Sequence, residues 1–157
     1  MKNFKLSEID ILSNQDWTFP TTTYYGPGRF NEIGKFCEEF EIKNPLIVTD
    51  SGSKDLPFIN KLETLLSKND IKSEVFYDIS PNPRDDEISK GCDQFRSGKH
   101  DAIIAIGGGS AMDGGKSICL TVNSDTPLWD FEFEQPVPKI TKENAFPKII
   151  TIPTTSG

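Results

Sequence analysis

The sequence predicts an α/β protein built on an open, mainly parallel sheet with helices on both faces. Three observations predict it. Short runs rich in β-branched residues begin at even spacing, LIVT at Leu46, EVFY at Glu74 and AIIAI at Ala102. Helix-period stripes lie between them, and strands alternating with single helices are the mark of βαβ units. The runs are apolar throughout instead of alternating, as strands covered on both faces must be.

The elements follow in order. Residues 1–16 read as an N-terminal extension of mixed polar and apolar character. WTFPTTTYYG (Trp17–Gly26) reads as an extended strand, with Pro20 placing it at an edge. After YYGPG, Arg29–Phe40 carries Phe30, Ile33, Cys37 and Phe40 at helical spacing. Pro45 precedes the strand at Leu46. From Leu56 to Lys68, Phe58, Ile59, Leu62, Leu65 and Leu66 form one stripe. SPNPR (Ser80–Arg84) breaks the chain after the second strand. The next helix, Asp85–Ser97, opens with Asp85, Asp86 and Glu87, acids that favour the positive end of the helix dipole. Ile88, Cys92 and Phe95 make its apolar stripe. The third strand runs into GGGS, where Ser110 is the expected N-cap and Asp113 completes an S-x-x-D capping box. Asn123–Pro147 holds four prolines without a period and reads as a long functional loop, with aromatic, acidic LWDFEFE inside it. KIITI, from Lys148, is the last strand.

A chain of 157 residues suits one domain, 1–157, with a substantial core. The net charge of −7 supplies no phosphate-neutralising excess, which argues against nucleic acid or an anionic membrane as partner. No apolar run approaches the roughly 20 residues of a membrane span. The N-terminus lacks a signal peptide's apolar stretch, so the expected location is cytoplasmic. The three cysteines are far apart with no CxxC pair, and read as buried thiols. His100, the single histidine, reads as a structural residue at a strand entrance. One histidine also caps what metal chemistry this chain can do.

The chemistry points to strand ends. Gly107, Gly108 and Gly109 remove side chains where the chain leaves a strand and enters a helix. Glycine lets a ligand approach the backbone closely. The helix N-terminus offers free N–H groups and partial positive charge, a seat for phosphate. A tight turn without a ligand is the plainer alternative. The stretch is neither GxGxxG nor a Walker loop. Asp50 ends the first strand, where a carboxylate can accept both hydroxyls of a ribose diol and would repel a 2′-phosphate. It precedes the glycine corner, the reverse of the usual order, and could instead cap the following turn. Thr154 and Thr155 end the last strand with hydroxyls suited to ribose or base, or form a simple turn. A phosphotransferase holding ATP on the glycine corner is a rival reading.

DAIIAIGGGSAMDGGKSICL, PNP at Pro81–Pro83, LIVTD and TIPTTSG together resemble the N-terminal domain of the iron-containing (group III) alcohol dehydrogenases, whose Rossmann-like fold dehydroquinate synthase and glycerol dehydrogenase share. The resemblance runs from about Trp17 to Gly157. It implies that Gly107, Gly108, Gly109 and Ser110 hold a pyrophosphate and that Asp50 selects NAD over NADP. It places Asn82, Thr154 and Thr155 along the cofactor cleft, and Asp113 near its substrate end. Lys116, at i+3 from Asp113, reads equally as a local ion-pair partner. The implied activity is hydride transfer between nicotinamide and a small alcohol or aldehyde, with a divalent iron or zinc on a following all-helical domain. That domain is expected to be absent from this chain, leaving no catalytic residue here, weak dinucleotide binding, no turnover, and an apolar cleft face that favours homo-oligomers. Non-catalytic nucleotide binding, or reduction of a keto-acid or semialdehyde, are the other readings. Gly114 and Gly115 depart from the family's small helix formers, and are expected to allow close packing on the sheet or on the ligand.

Overall fold

The computed structural model describes residues 21–124, 126–132, 136, 138–139, 141 and 145–155. Four strands alternate with helices. α1 (Ile33–Glu39), continuing a 3-10 turn over Arg29–Glu32, leads into β1 (Pro45–Asp50). Then come α2 (Pro57–Ser67), β2 (Glu74–Ile79), α3 (Asp85–Ser97), β3 (Ala102–Gly107), α4 (Gly109–Thr121), a 3-10 turn over Leu128–Phe131, and β4 (Lys148–Pro153). The strand order is β2-β1-β3-β4, and every pairing is parallel.

Alternation along the central strands divides the interior in two. Leu46, Val48, Ile103 and Ala105 face one way and pack with Ile88, Cys92 and Phe95 of α3 and Ile118 of α4. Ile47, Ala102, Ile104 and Ile106 face the other way, against Ile33 and Cys37 of α1 and Ile59, Leu62 and Leu66 of α2. Helices therefore cover both faces, as the continuous apolar runs require. Burying a leucine or isoleucine fully contributes about 1.5–3 kcal/mol, so these two layers supply most of the fold's driving force. The three cysteines are buried in them. Burial pushes the Cys37 and Cys119 thiols up to about 11, with Asp101 adding to the effect on Cys37, and keeps both in the unreactive thiol form.

The N-terminal ends of the sheet are tied by polar groups. The Asp101 carboxylate accepts from the backbone N–H of Lys43 (2.7 Å) and Asn44 (3.0 Å). The Asn44 side chain donates to the carbonyls of Gly98 and Lys99. His100 is buried at the entrance to β3, its Nδ1 3.0 Å from the Asn44 carbonyl oxygen. It stands at the strand entrance, the place expected.

Several expectations need correction. The extension 1–16 and the segment 17–20 lie outside the described residues. Residues 21–25 form no strand: Tyr24 instead stacks on Phe36 of α1, ring centroids 4.3 Å apart, under the Arg29 guanidinium. Ser110 is not the N-cap of α4. The helix begins at Gly109, Gly108 occupies the cap position, and no side chain caps it. The Ser110 hydroxyl donates to the Pro81 carbonyl at 2.7 Å instead, so the S-x-x-D pairing does not form. Of the long loop 123–147, much lies outside the described residues. Its 3-10 turn sets Leu128 against the core and leaves Trp129 exposed. The glycines of α4 pack on the sheet: a Cβ on Gly115 would stand 2.5 Å from Ala105 Cβ, and one on Gly114 2.8 Å from Ile79 Cδ1.

Candidate functional site

In this strand order the chain steps from β1 outward to β2, then returns across to β3 and on to β4. The direction reverses between β1 and β3. In open α/β sheets the crevice outside the carboxyl ends at such a switch point is where ligands bind. Asp50 ends β1 there, and Gly107 ends β3.

Gly107 has φ +146°, a conformation that side chains rarely adopt. A Cβ there would also meet Ala111 Cβ at 2.7 Å and Asp50 Oδ2 at 3.1 Å. The bare backbone is therefore what lets β1 and β3 end side by side with α4 turning off immediately. Gly108 follows in extended conformation, and a Cβ on it would only touch Thr155 at 3.7 Å. A Cβ on Gly109 would meet nothing within 4 Å, so its surroundings are open. The first N–H groups of α4 have no partner within the helix, and its dipole gives this corner partial positive charge.

Two neighbouring segments are tied to the corner. The Thr154 N–H donates to the Gly107 carbonyl at 2.8 Å, which brings Thr154 and Thr155 beside the glycines. The Ser110–Pro81 bond ties the PNP loop to the first turn of α4. Asn82 is exposed in that loop, its carbonyl accepting from the Ser80 hydroxyl at 2.8 Å. The structure thus groups Asp50, Gly107, Gly108, Thr154 and Thr155 closely, with Ser110 and the loop bearing Asn82 on the adjoining side. Asp113 is exposed one turn further along α4. Among the described residues, no ion pair joins it to Lys116.

Sequence reasoning missed what Ser53, Thr49 and Glu87 do. Asp50 Oδ1 accepts from the Gly52 N–H at 3.1 Å, and Oδ2 from the Ser53 hydroxyl at 2.8 Å. The turn-capping alternative for Asp50 is realised, with Ser53 as partner. Thr49 is fully buried beside Gly107, and its hydroxyl has no hydrogen-bond partner. Glu87 is 5% exposed and organises the PNP loop: its Oε2 accepts from Ser80 N, Ser80 Oγ and Arg84 N, and Oε1 pairs with Arg84. Burial alone would raise the Glu87 carboxyl; these donors and the Arg84 charge outweigh it and hold the group below its ordinary range. Its position three residues after Arg84 was the available signal, obscured because arginine is an uncommon N-cap.

Among the described residues no group of three or more His, Cys, Asp or Glu side chains is placed to hold a metal ion. No helix there is long and apolar enough to cross a membrane.

Residues 20–157 match the family described as iron-containing alcohol dehydrogenase. The chain is 30% identical over 144 residues to 1,3-propanediol dehydrogenase of Citrobacter freundii, covering 90% of this chain and 36% of that protein. It is 33% identical over 146 residues to NADH-dependent butanol dehydrogenase A of Clostridium acetobutylicum, with the same coverage. Among solved structures, a 1,3-propanediol oxidoreductase superposes with a TM-score of 0.79 at 28% identity, over 89% of this chain and 35% of the other. Sulfoacetaldehyde reductase from Bifidobacterium kashiwanohense, solved in complex with NAD+, gives 0.75 at 28% identity, over 91% and 36%. The chain spans about a third of the length of these relatives.

Proposed function

The chain belongs to the iron-containing alcohol dehydrogenase family, and we propose that the carboxyl edge of its sheet is the dinucleotide seat of an NAD-dependent alcohol dehydrogenase. One observation carries the reading: at the switch point between β1 and β3, an acid and a glycine corner opening a helix stand within contact distance, Asp50 Oδ2 lying 3.1 Å from where a Gly107 Cβ would be. The two halves suit the two halves of a nucleotide. The N–H groups of Gly109 and Ser110 at the start of α4 receive the pyrophosphate. Asp50 receives the ribose hydroxyls and repels a 2′-phosphate, which favours NAD over NADP. Thr154 and Thr155 line the far side of the corner, and Asn82 the near side, both held by the bonds described above. Asp113 stands further along α4, toward the substrate end.

Bound nicotinamide supplies hydride transfer to and from a small alcohol or aldehyde carbon. The described residues would bind and orient the dinucleotide; among them no side-chain cluster fits the iron named in the family's description, and none is given a role toward it. NADH titration of wild type and Asp50→Gly, monitored by calorimetry, tests the assignment. We expect wild type to prefer NADH over NADPH by at least about tenfold, and Asp50→Gly to lose that preference. Equal wild-type affinity for the two cofactors would refute the role of Asp50.

A further inference from the structure

The Asp50 carboxylate is pinned. An aspartate χ2 is broadly adjustable, yet here each oxygen has its own donor, Gly52 N–H on Oδ1 at 3.1 Å and Ser53 Oγ on Oδ2 at 2.8 Å. A carboxylate has about four acceptor positions. Two donors from the chain leave about two, the number a cis-diol needs. Oδ2, the oxygen held by Ser53, is the one that faces the glycine corner, 3.1 Å from the Gly107 Cβ position. Ser53 itself does not depend on this bond for its place. Its N–H donates to the Asp50 carbonyl at 3.0 Å, and its carbonyl accepts from the Leu56 N–H at 3.0 Å. The loop between β1 and α2 is therefore held by its backbone, and the Ser53 hydroxyl is left to orient Asp50. Both residues are only partly buried, so a ligand can reach the carboxylate.

We propose that Ser53 is a positioning residue that sets the cofactor preference of this site by holding Asp50 Oδ2 toward the glycine corner, with its unused acceptor positions turned to a free ribose diol. The proposal rests on the role of Asp50 as the acceptor of that diol. Removing the hydroxyl frees the carboxylate to swing away, which weakens a ligand that donates two hydroxyls. A ligand whose 2′ position carries phosphate gains no hydrogen bond from Asp50 and is repelled by its charge, so releasing the carboxylate does not weaken it.

The test is calorimetric titration of wild type, Ser53→Ala and Ser53→Thr with NADH and with NADPH, alongside thermal unfolding of each. We expect Ser53→Ala to bind NADH about three- to tenfold more weakly, the effect of one hydrogen bond, while NADPH binding is unchanged or tighter. Ser53→Thr, which keeps the hydroxyl, should retain the wild-type ratio. A wild type that favours NADH together with a Ser53→Ala variant of unchanged ratio overturns this proposal and leaves Asp50 standing. The proposal also fails if both affinities fall equally along with the melting temperature, since that is a structural effect, or if Ser53→Thr loses the preference as Ser53→Ala does. A wild type indifferent to the two cofactors overturns the role of Asp50 itself.

Discussion

Single glycines at the corner separate folding from binding. Gly107 is required by conformation and by space, because its φ is +146° and Ala111 Cβ lies 2.7 Å from where a Cβ would go. Gly107→Ala should therefore destabilise by about 1–3 kcal/mol, measured by urea unfolding. Gly109 has neither constraint: its φ is ordinary and nothing lies within 4 Å. At the first position of α4, alanine should leave stability unchanged or raise it by up to about 1 kcal/mol. If the open space there belongs to a pyrophosphate, the added methyl should still weaken NADH binding about tenfold or more. A Gly109→Ala variant with wild-type affinity would show that the ligand does not approach this backbone. The three glycines stood out in the sequence, but their division of labour did not, because it depends on which neighbours the fold brings within contact.

At the scale of elements, what was legible followed from period. α2 and α3 announce themselves by stripes, and β1 and β3 by runs that both core layers must cover. Where two neighbours compete for one group, period says nothing. Ser110 has the right residue type for a cap, but the Pro81 carbonyl takes its hydroxyl. β2 reads as EVFY and continues to Ile79 through a register shift: Val48 pairs with Phe76, but Asp50 pairs with Ile79. That extra residue turns both Phe76 and Ile79 into the same core layer, which strict alternation forbids. Ile79 then receives Gly114, and the two glycines of α4 differ accordingly. Gly115→Ala meets Ala105 in the middle of β3, with no room to yield, and should destabilise by about 1–3 kcal/mol despite its gain in helix propensity. Gly114→Ala meets the Ile79 side chain, Cδ1 at 2.8 Å, Cγ1 at 3.0 Å and Cγ2 at 3.2 Å, which can give by a few tenths of an ångström, and should cost less than Gly115→Ala, up to about 2 kcal/mol. Urea midpoints in the opposite order would refute this account of the packing. Glu87 makes a pH prediction for the PNP loop. Its folded-state pKa lies below the unfolded one, so its contribution is complete above the ordinary carboxylate range, about 4.3, and is lost as pH falls through the folded value. The stability gap between wild type and Glu87→Gln should be largest near neutral pH and narrow as pH falls below the ordinary carboxylate range; a gap independent of pH would sink the claim.

For the molecule as a whole, the sheet is unevenly finished. Central β1 and β3 are buried along their length, but β4, the last strand in the order, is an edge with one ladder and no second neighbour among the described residues. Ile150 and Ile152 pack against the α1–α2 layer, while Ile149, on the other face, is 37% exposed. Lys148 bonds the Phe40 carbonyl and pairs with Glu41, so the strand's one basic residue is drawn toward the end of α1. Edge strands are normally blunted by charge, because an open ladder of N–H and C=O groups with apolar neighbours is a template for another chain. We predict that the described chain associates through this edge in a concentration-dependent manner. Ile149→Lys should weaken that association by about tenfold, because it places a charge on the exposed side of the edge. Light scattering across a concentration series of both proteins decides it. Wild type that stays monomeric, or association that the substitution leaves intact, would place the contact elsewhere on the molecule.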